Sequence, residues 1–456
     1  MKIKNMVTVL LVAFILASCA PAAKVVPIET AVSTSTLIPV PTATIKPTPV
    51  SYIEGLNNVP MPENSFIEQV VSENYLKVMG LTHEQVNLVY IEHTGINGQI
   101  FAVMVDNSTG VPMAFYVGTW QKATLKFFGQ QVGIVMGTDT AEVISPTEIE
   151  VMSEFDRGTI AVANSWDDNE PSEGNYDLTD RLRIQGVVNE LNKAGITDIV
   201  AQQPIMGENN ASWLNSSYTQ EQLREILRKR IGFFIDNNPN ANFIVVVNEP
   251  YVQDARPHDI FYQSWGNSYD YIIEAFQMAR DYAEVKNRDI KLIYNDSDNH
   301  YATGLTSNIS RKIVRMLHEK GLVDYVGIQT HIGEWREGAF DQLMIPQMPA
   351  EIEFYKKLGV PVLITELTYQ PDSNYSLSDA KITLSPDEFE KRLSYVFGEV
   401  IKIAIESGNV QGITFWGLTD QWFKLDNVNW YMIFDEQGQP KQSYYIVLKT
   451  LYEGIK

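Results

Sequence analysis

The chain has 456 residues, 45% of them hydrophobic, with 19 Phe, 8 Trp and 22 Tyr, enough apolar material for one large domain and a smaller companion. A formal net charge of −21 makes nucleic acid and anionic membrane surfaces poor partners, whereas neutral polysaccharide is compatible with it. With one cysteine, Cys19, the chain can form no internal disulfide, so its core must suffice by itself.

Residues 1–19 read as a targeting segment. Lys2 and Lys4 form a positive start, and Met6 to Leu16 is an apolar run. That run is shorter than the about 20 residues needed to cross a bilayer. It ends in Leu16-Ala17-Ser18-Cys19, which resembles a bacterial lipobox and implies cleavage and lipidation at Cys19. A plain secretory signal with an incidental cysteine is the alternative. Residues 20–55 are rich in Pro, Thr, Ser, Ala and Val, a composition that forbids regular helix or central strand and predicts an extended tether. At about 3.1 Å per residue the tether could reach about 90 Å. The expectation is an exported protein held at the cell surface, touching the membrane only through its lipid anchor.

Residues 56–125 predict a small α+β module, with a helix over 65–79 and strands over 88–93, 99–106 and 112–118. Asn107-Ser108-Thr109-Gly110 supplies turn chemistry between the last two. The module carries no catalytic constellation. It suggests packing or spacing, with glycan or partner binding as the alternative.

From 126 to 456 strand and helix patterns alternate. Strands are predicted over 132–136, 159–163, 197–202, 243–247, 290–294, 324–329, 360–365 and 412–416. The helices that follow them are predicted over 146–155, 179–194, 219–236, 268–286, 308–320, 349–358, 386–407 and 440–453. Eight such units predict an α/β fold, a (β/α)₈ TIM barrel with loop insertions. A doubly wound open sheet fits less well, because no Gly-rich phosphate loop follows the first strand.

The barrel places all C-terminal strand ends on one face, where chemistry is expected. Those ends carry Gln202 and Gln203, Asn248 and Glu249, Asn295 and Asp296, Gln329 and His331, Glu366, and Trp416. Either glutamate alone could merely cap a strand or pair with a surface cation. Two carboxyl groups on one face are what a retaining glycosidase requires, about 5–5.5 Å apart, one as acid/base and one as nucleophile. Asn248 is placed to bind the sugar 2-OH, His331 to orient the nucleophile, and Trp416 to stack on a sugar ring.

The run Trp166-Asp167-Asp168-Asn169-Glu170-Pro171 through Tyr176, then Val246-Val247-Asn248-Glu249, Asn295-Asp296, Gln329-Thr330-His331, Ile364-Thr365-Glu366-Leu367, Ile413 to Gly417 and Phe434 to Lys441 together resemble glycoside hydrolase family 10, the retaining endo-β-1,4-xylanases. No single motif decides this, but seven in the right order are specific. The resemblance runs from about residue 130 to the C-terminus. It implies Glu249 as acid/base, Glu366 as nucleophile, Asn248 as the 2-OH ligand, His331 as the nucleophile's partner and Trp416 as the platform. Gln202, Gln329 and Asn295 are read as substrate-side ligands.

The departures concern the sugar. Where the family has an Asn-Glu pair and a Lys that grip the glycone, this chain has Val162, Ala163 and Ser165. Gln202 and Met206 stand where a His and a Trp are usual, and Thr368 where an Asp is. Endo-β-1,4-xylanase activity is therefore the expectation. A family member acting on another β-glycan, or a surface glycan-binding lipoprotein with weak or no hydrolysis, are the alternatives. Trp213, Trp265, Trp335, Trp422 and Trp430 read as packing anchors before sugar platforms. Asp167 with Asp168 could ligate a metal, but the resemblance gives the pair a structural reading, and His83, His93, His258, His300 and His318 show no metal spacing with one another. Glu334 and Glu337 read as solvated. No metal or organic cofactor is implied, the partner is a xylan-type polysaccharide or oligosaccharide, and a monomer is expected.

Overall fold

The computed structural model describes residues 76–82, 84–91, 101–117, 119–140, 145–161, 164–207, 210–251, 259–333, 345–370, 385–421 and 432–455. Outside them lie the targeting segment with Cys19, the tether and most of the helix expected over 65–79. Val162, Ala163, Trp335, Trp422, Trp430, His83, His93, His258, Glu334 and Glu337 lie outside as well.

Strands β1 (Val86–Ile91), β2 (Phe101–Asp106), β3 (Pro112–Val117) and β4 (Thr119–Lys122) pair antiparallel in chain order. The turn between β2 and β3 closes because Asp106 Oδ1 accepts from the backbone N–H groups of Ser108 (2.8 Å) and Thr109 (2.9 Å). Gly110 completes it at φ 70°. Met104 and Ala114 pack with Leu76 and Val86, while Val103, Val105 and Phe115 join the buried cluster of the barrel. The described part of the 56–125 segment thus shares the barrel's core.

The barrel strands are β5 (Val135–Thr140), β6 (Arg157–Ile160), β7 (Asp198–Met206), β8 (Phe243–Asn248), β9 (Lys291–Asp296), β10 (Tyr325–Ile328), β12 (Val362–Gln370) and β13 (Val410–Phe415). Each pairs in parallel with its neighbour in this order, and β13 returns to β5, closing an eight-stranded ring. The short β11 (His331–Gly333) resumes after β10 and runs beside the end of β12. β8 is buried at every position, as its unbroken apolar run requires of a strand packed on both faces.

Helices over Thr179–Lys193, Gln220–Asn237, Asp270–Val285, Leu305–Glu319, Met348–Leu358, Pro386–Ser407 and Gln442–Ile455 lie within a few residues of the predicted spans. Reciprocal side-chain caps start two helices, Ser145 with Glu148 and Thr219 with Gln222. The first barrel strand begins later than its apolar run suggests. Thr124 caps an unexpected helix over Leu125–Gln131, Val132 ends it, and Gly133 at φ 76° reverses the chain before β5. Short helices over Trp166–Asn169 and Ile260–Ser264 were likewise not legible in the sequence pattern.

Inside the barrel, Val200, Phe243, Val245, Ile293 and Leu363 form an apolar plug. The Arg157 guanidinium lies 4.2 Å from the Phe243 ring centroid and pairs with Asp198 at 2.8 Å. Above the plug a side chain at Gly327 would overlap the Asn295 amide, so this glycine makes room for polar groups at the mouth.

Glu154 joins the N-terminal segment to the last helix. Its buried carboxylate accepts from the Leu125 N–H (3.1 Å), the Tyr444 hydroxyl (3.0 Å) and Lys122 Nζ (3.4 Å). Replacing it by alanine leaves two buried donors without a partner. Glu154→Ala should destabilise the fold by about 2–4 kcal/mol, measured as a lower midpoint in urea unfolding.

Candidate active site

The C-terminal mouth of the barrel is occupied by one hydrogen-bonded network. At its centre is Asn295, fully buried at the end of β9. Its Oδ1 accepts from Thr365 Oγ1 (2.6 Å), and its Nδ2 donates to Asn248 Oδ1 (2.7 Å) and Glu366 Oε1 (2.9 Å). Glu366 Oε1 also accepts from Gln202 Nε2 at 3.0 Å. Its other oxygen, Oε2, lies 3.2 Å from His331 Nε2. Donors from β7, β9 and β11 therefore fix the orientation of this buried carboxylate.

Glu249 is half-buried and reaches the same network through Gln329. Gln329 Nε2 donates to Glu249 Oε1 (2.8 Å) and to Asn248 Oδ1 (3.1 Å), while Gln329 Oε1 faces His331 Nε2 at 3.2 Å. Both neighbours of His331 Nε2 are acceptors, so this nitrogen carries the ring proton. Nδ1 meets Thr368 Oγ1 at 2.8 Å. Asn248 Oδ1 is engaged twice, whereas its Nδ2 approaches Glu249 Oε1 only at 3.5 Å, a distance too long to hold it.

Breaks in strand register bring these residues together. They fall between Gln202 and Ile205 on β7, between Val245 and Val247 on β8, and between Ile364 and Leu367 on β12. Consecutive residues of a regular strand face opposite sides, yet Thr365 and Glu366 both bind Asn295. Asn248 and Glu249 likewise share a partner in Gln329, with Glu249 in the left-handed region at φ 48°.

The surrounding shell is also specific. Gly207 donates its N–H to the Asn248 carbonyl (3.1 Å), and a Cβ on it would overlap the Glu249 carbonyl oxygen. His300, fully buried, approaches the Gln329 carbonyl with Nδ1 at 3.0 Å, and burial pushes its imidazole down to about 4. A carbonyl only accepts, so Nδ1 carries the proton of that neutral ring.

The expected site residues Gln202, Asn248, Glu249, Asn295, Gln329, His331 and Glu366 thus share one network, and Trp416 follows β13, its backbone N–H donating to the Leu367 carbonyl at 3.1 Å. Asp296 departs from the expected polar ring. It faces the helix layer, where Tyr294 and Ser310 each donate to Oδ2 at 2.7 Å, and burial holds its carboxyl well above the usual range. Trp213 donates to the Glu170 carbonyl and meets Trp166 edge to face, and buried Trp265 donates to Glu274; both are packing anchors. Asp167 accepts from the Ser212 N–H. Among the described residues no group of His, Cys, Asp and Glu is arranged to hold a metal ion. Sequence reasoning missed Thr365 and Gly207, whose roles are fixed by contacts across strands.

A carboxylate locked by three donors and a second, more accessible carboxyl joined to it through amides can serve as nucleophile and proton donor in a double displacement at an acetal carbon. The model of glycosyl hydrolase family 10 matches residues 121–450. The chain belongs to that family. An endo-1,4-β-xylanase A of Caldicellulosiruptor saccharolyticus is 27% identical over 317 residues, covering 66% of this chain and 87% of that enzyme. A Thermotoga neapolitana endo-1,4-β-xylanase A is 28% identical over 53% of this chain, which spans only 22% of that longer protein. The crystal structure of xylanase 10B from Thermotoga petrophila in complex with xylobiose superposes with a TM-score of 0.62, at 22% identity, over 74% of this chain and 100% of that one.

Gly207→Ala should push the Glu249 backbone out of place while leaving the rest of the barrel intact. The expected result is a loss of kcat of about 100-fold with near-native circular dichroism, since a displacement of about 1 Å costs that much in a positioned reaction.

Proposed function

We propose that the protein is a retaining endo-β-1,4-xylanase in which Glu366 is the nucleophile and Glu249 the acid/base. One observation carries the reading: Glu366, held by Gln202, Asn295 and His331, is linked through Asn248 and Gln329 to a second carboxyl at the same mouth. Glu366 attacks the anomeric carbon while Glu249 protonates the departing glycosidic oxygen. Glu249 then takes a proton from the water that releases the glycosyl ester. Asn248 Nδ2 donates to the sugar 2-OH, a contact that strengthens as the ring flattens toward the oxocarbenium ion. His331 keeps Glu366 turned toward the sugar, and Trp416 offers its face as a stacking platform.

The xylan assignment rests on the family and on the relatives' activities. Gln202, Met206 and Thr368 differ from the family's usual residues, and Gln202 now bonds the nucleophile itself.

Two variants test the roles. Glu366→Ala should lose on the order of 10³-fold or more in kcat on xylan and on aryl glycosides alike. Glu249→Ala should lose as much on xylan but little in the first step on an aryl glycoside with an acidic phenol, which needs no protonation to leave. Unchanged turnover in either variant overturns the assignment, and products from another β-glycan but none from xylan would change the sugar.

We infer from Leu16-Ala17-Ser18-Cys19 and the Pro-rich segment behind it that the enzyme is displayed as a lipid-anchored protein at the cell surface. The wild-type protein should incorporate radiolabelled palmitate when expressed in a bacterium, and Cys19→Ala should not. Absence of label on the wild-type protein would refute the anchor.

A further inference from the structure

A third carboxyl group lies at the mouth and takes no part in the network. Asp139 is near the end of β5, beside Thr159 of β6 and one residue past the Thr138–Phe415 pairing with β13. Its direction follows from Gly137, two residues earlier. A Cβ at Gly137 would meet Thr414 Oγ1 at 2.8 Å and Arg157 Cβ at 3.4 Å, and the Arg157 side chain packs on Phe243 of the interior plug. The strand period of two turns Asp139 into the barrel as well, one layer higher.

Asp139 is 4% exposed, and among the described residues its Oδ1 is buried without a hydrogen-bond partner. The Thr140 N–H donates to the carboxyl, and the charge on β12 that acts on it is that of Glu366. The charged residue of β6, Arg157, is committed to Asp198, and β13 between Val410 and Phe415 contains no charged residue. A buried carboxylate with one unsatisfied oxygen, no cation beside it among the described residues and a like charge nearby is in an unfavourable state, relieved by binding a proton. Burial and the Glu366 charge both act in that direction, holding the carboxyl well above its ordinary range.

We propose that Asp139 is a third carboxyl of the catalytic centre, a positioning residue kept as the neutral acid so that Glu366 alone carries negative charge on this side of the mouth. The two groups form a coupled pair, in which loss of the charge on Glu366 makes Asp139 more acidic. Formation of a glycosyl ester on Glu366 removes that charge in the first half of the reaction. The inference rests on the proposed nucleophile only in this last respect.

Infrared spectroscopy of the full chain labelled with ¹³C-aspartate tests it, with Asp139→Asn subtracted to separate Asp139 from the buried Asp296. At pH 7 the difference should show a protonated carboxyl stretch. In a Glu366→Gln background the titration midpoint of that band should fall by a pH unit or more, a tenfold drop in proton affinity. An ionised Asp139 at pH 7, or a midpoint unmoved by Glu366→Gln, overturns the proposal whether or not the protein cleaves xylan. Trapping the enzyme with a 2-deoxy-2-fluoro-xyloside should lower the midpoint in the same way. A trapped ester found on another residue would instead overturn the nucleophile, leaving the Glu366→Gln result to decide the charge coupling. If Asp139→Asn fails to fold, the Glu366→Gln shift within the labelled wild-type band set decides alone.

Discussion

The catalytic mouth depends on the side-chain amide of Asn295. Fully buried, it spends its carbonyl on Thr365 and both N–H bonds on Asn248 and Glu366. Its backbone carbonyl accepts the Glu249 N–H at 3.1 Å. One residue therefore reaches both proposed catalytic carboxyl residues, one through its side chain and one through its main chain. In a low-dielectric mouth each of these bonds is strong when made and costly when broken, so the amide specifies one arrangement. Gly327 leaves the space that the amide occupies.

Around that amide the barrel departs from regular pleating where chemistry needs it. A straight parallel strand presents alternate residues to its interior, too sparse for a dense polar cluster. Register breaks on β7, β8 and β12 place Gln202, Asn248 with Glu249, and Thr365 with Glu366 around one point. The left-handed turn at Glu249 is the local cost, and the close approach of Gly207 to its backbone is part of what holds it. Rigidity comes from the apolar plug and Arg157 below, so the bent strand ends rest on a packed base.

The electrostatics of the mouth are those of a site built to meet developing positive charge. Among the described residues Glu366 is oriented by neutral amides and a histidine, not by a guanidinium or ammonium that would cancel its charge. Asp139 and Asp296 add carboxyl groups whose burial favours their neutral forms, on the barrel side and the helix side respectively.

The sequence by itself determined the barrel, because the alternation of apolar strand runs and amphipathic helices is a local property carried by every one of the eight units. It also determined which side chains stand at the mouth, since the polar residues ending those runs are legible as soon as the strands are placed. It misplaced the start of β5, where a helix end and a strand share one apolar run divided by Gly133. It read Asp296 as part of the ring, because a period of two without register breaks cannot say which of two consecutive polar residues faces inward. Tertiary structure decided the rest. The pairing of Gln202 with Glu366 joins residues 164 positions apart, and the unsatisfied Oδ1 of Asp139 depends on what β6, β12 and β13 fail to offer it among the described residues. Such contacts are set by strand register and packing across the barrel, and no local pattern encodes them.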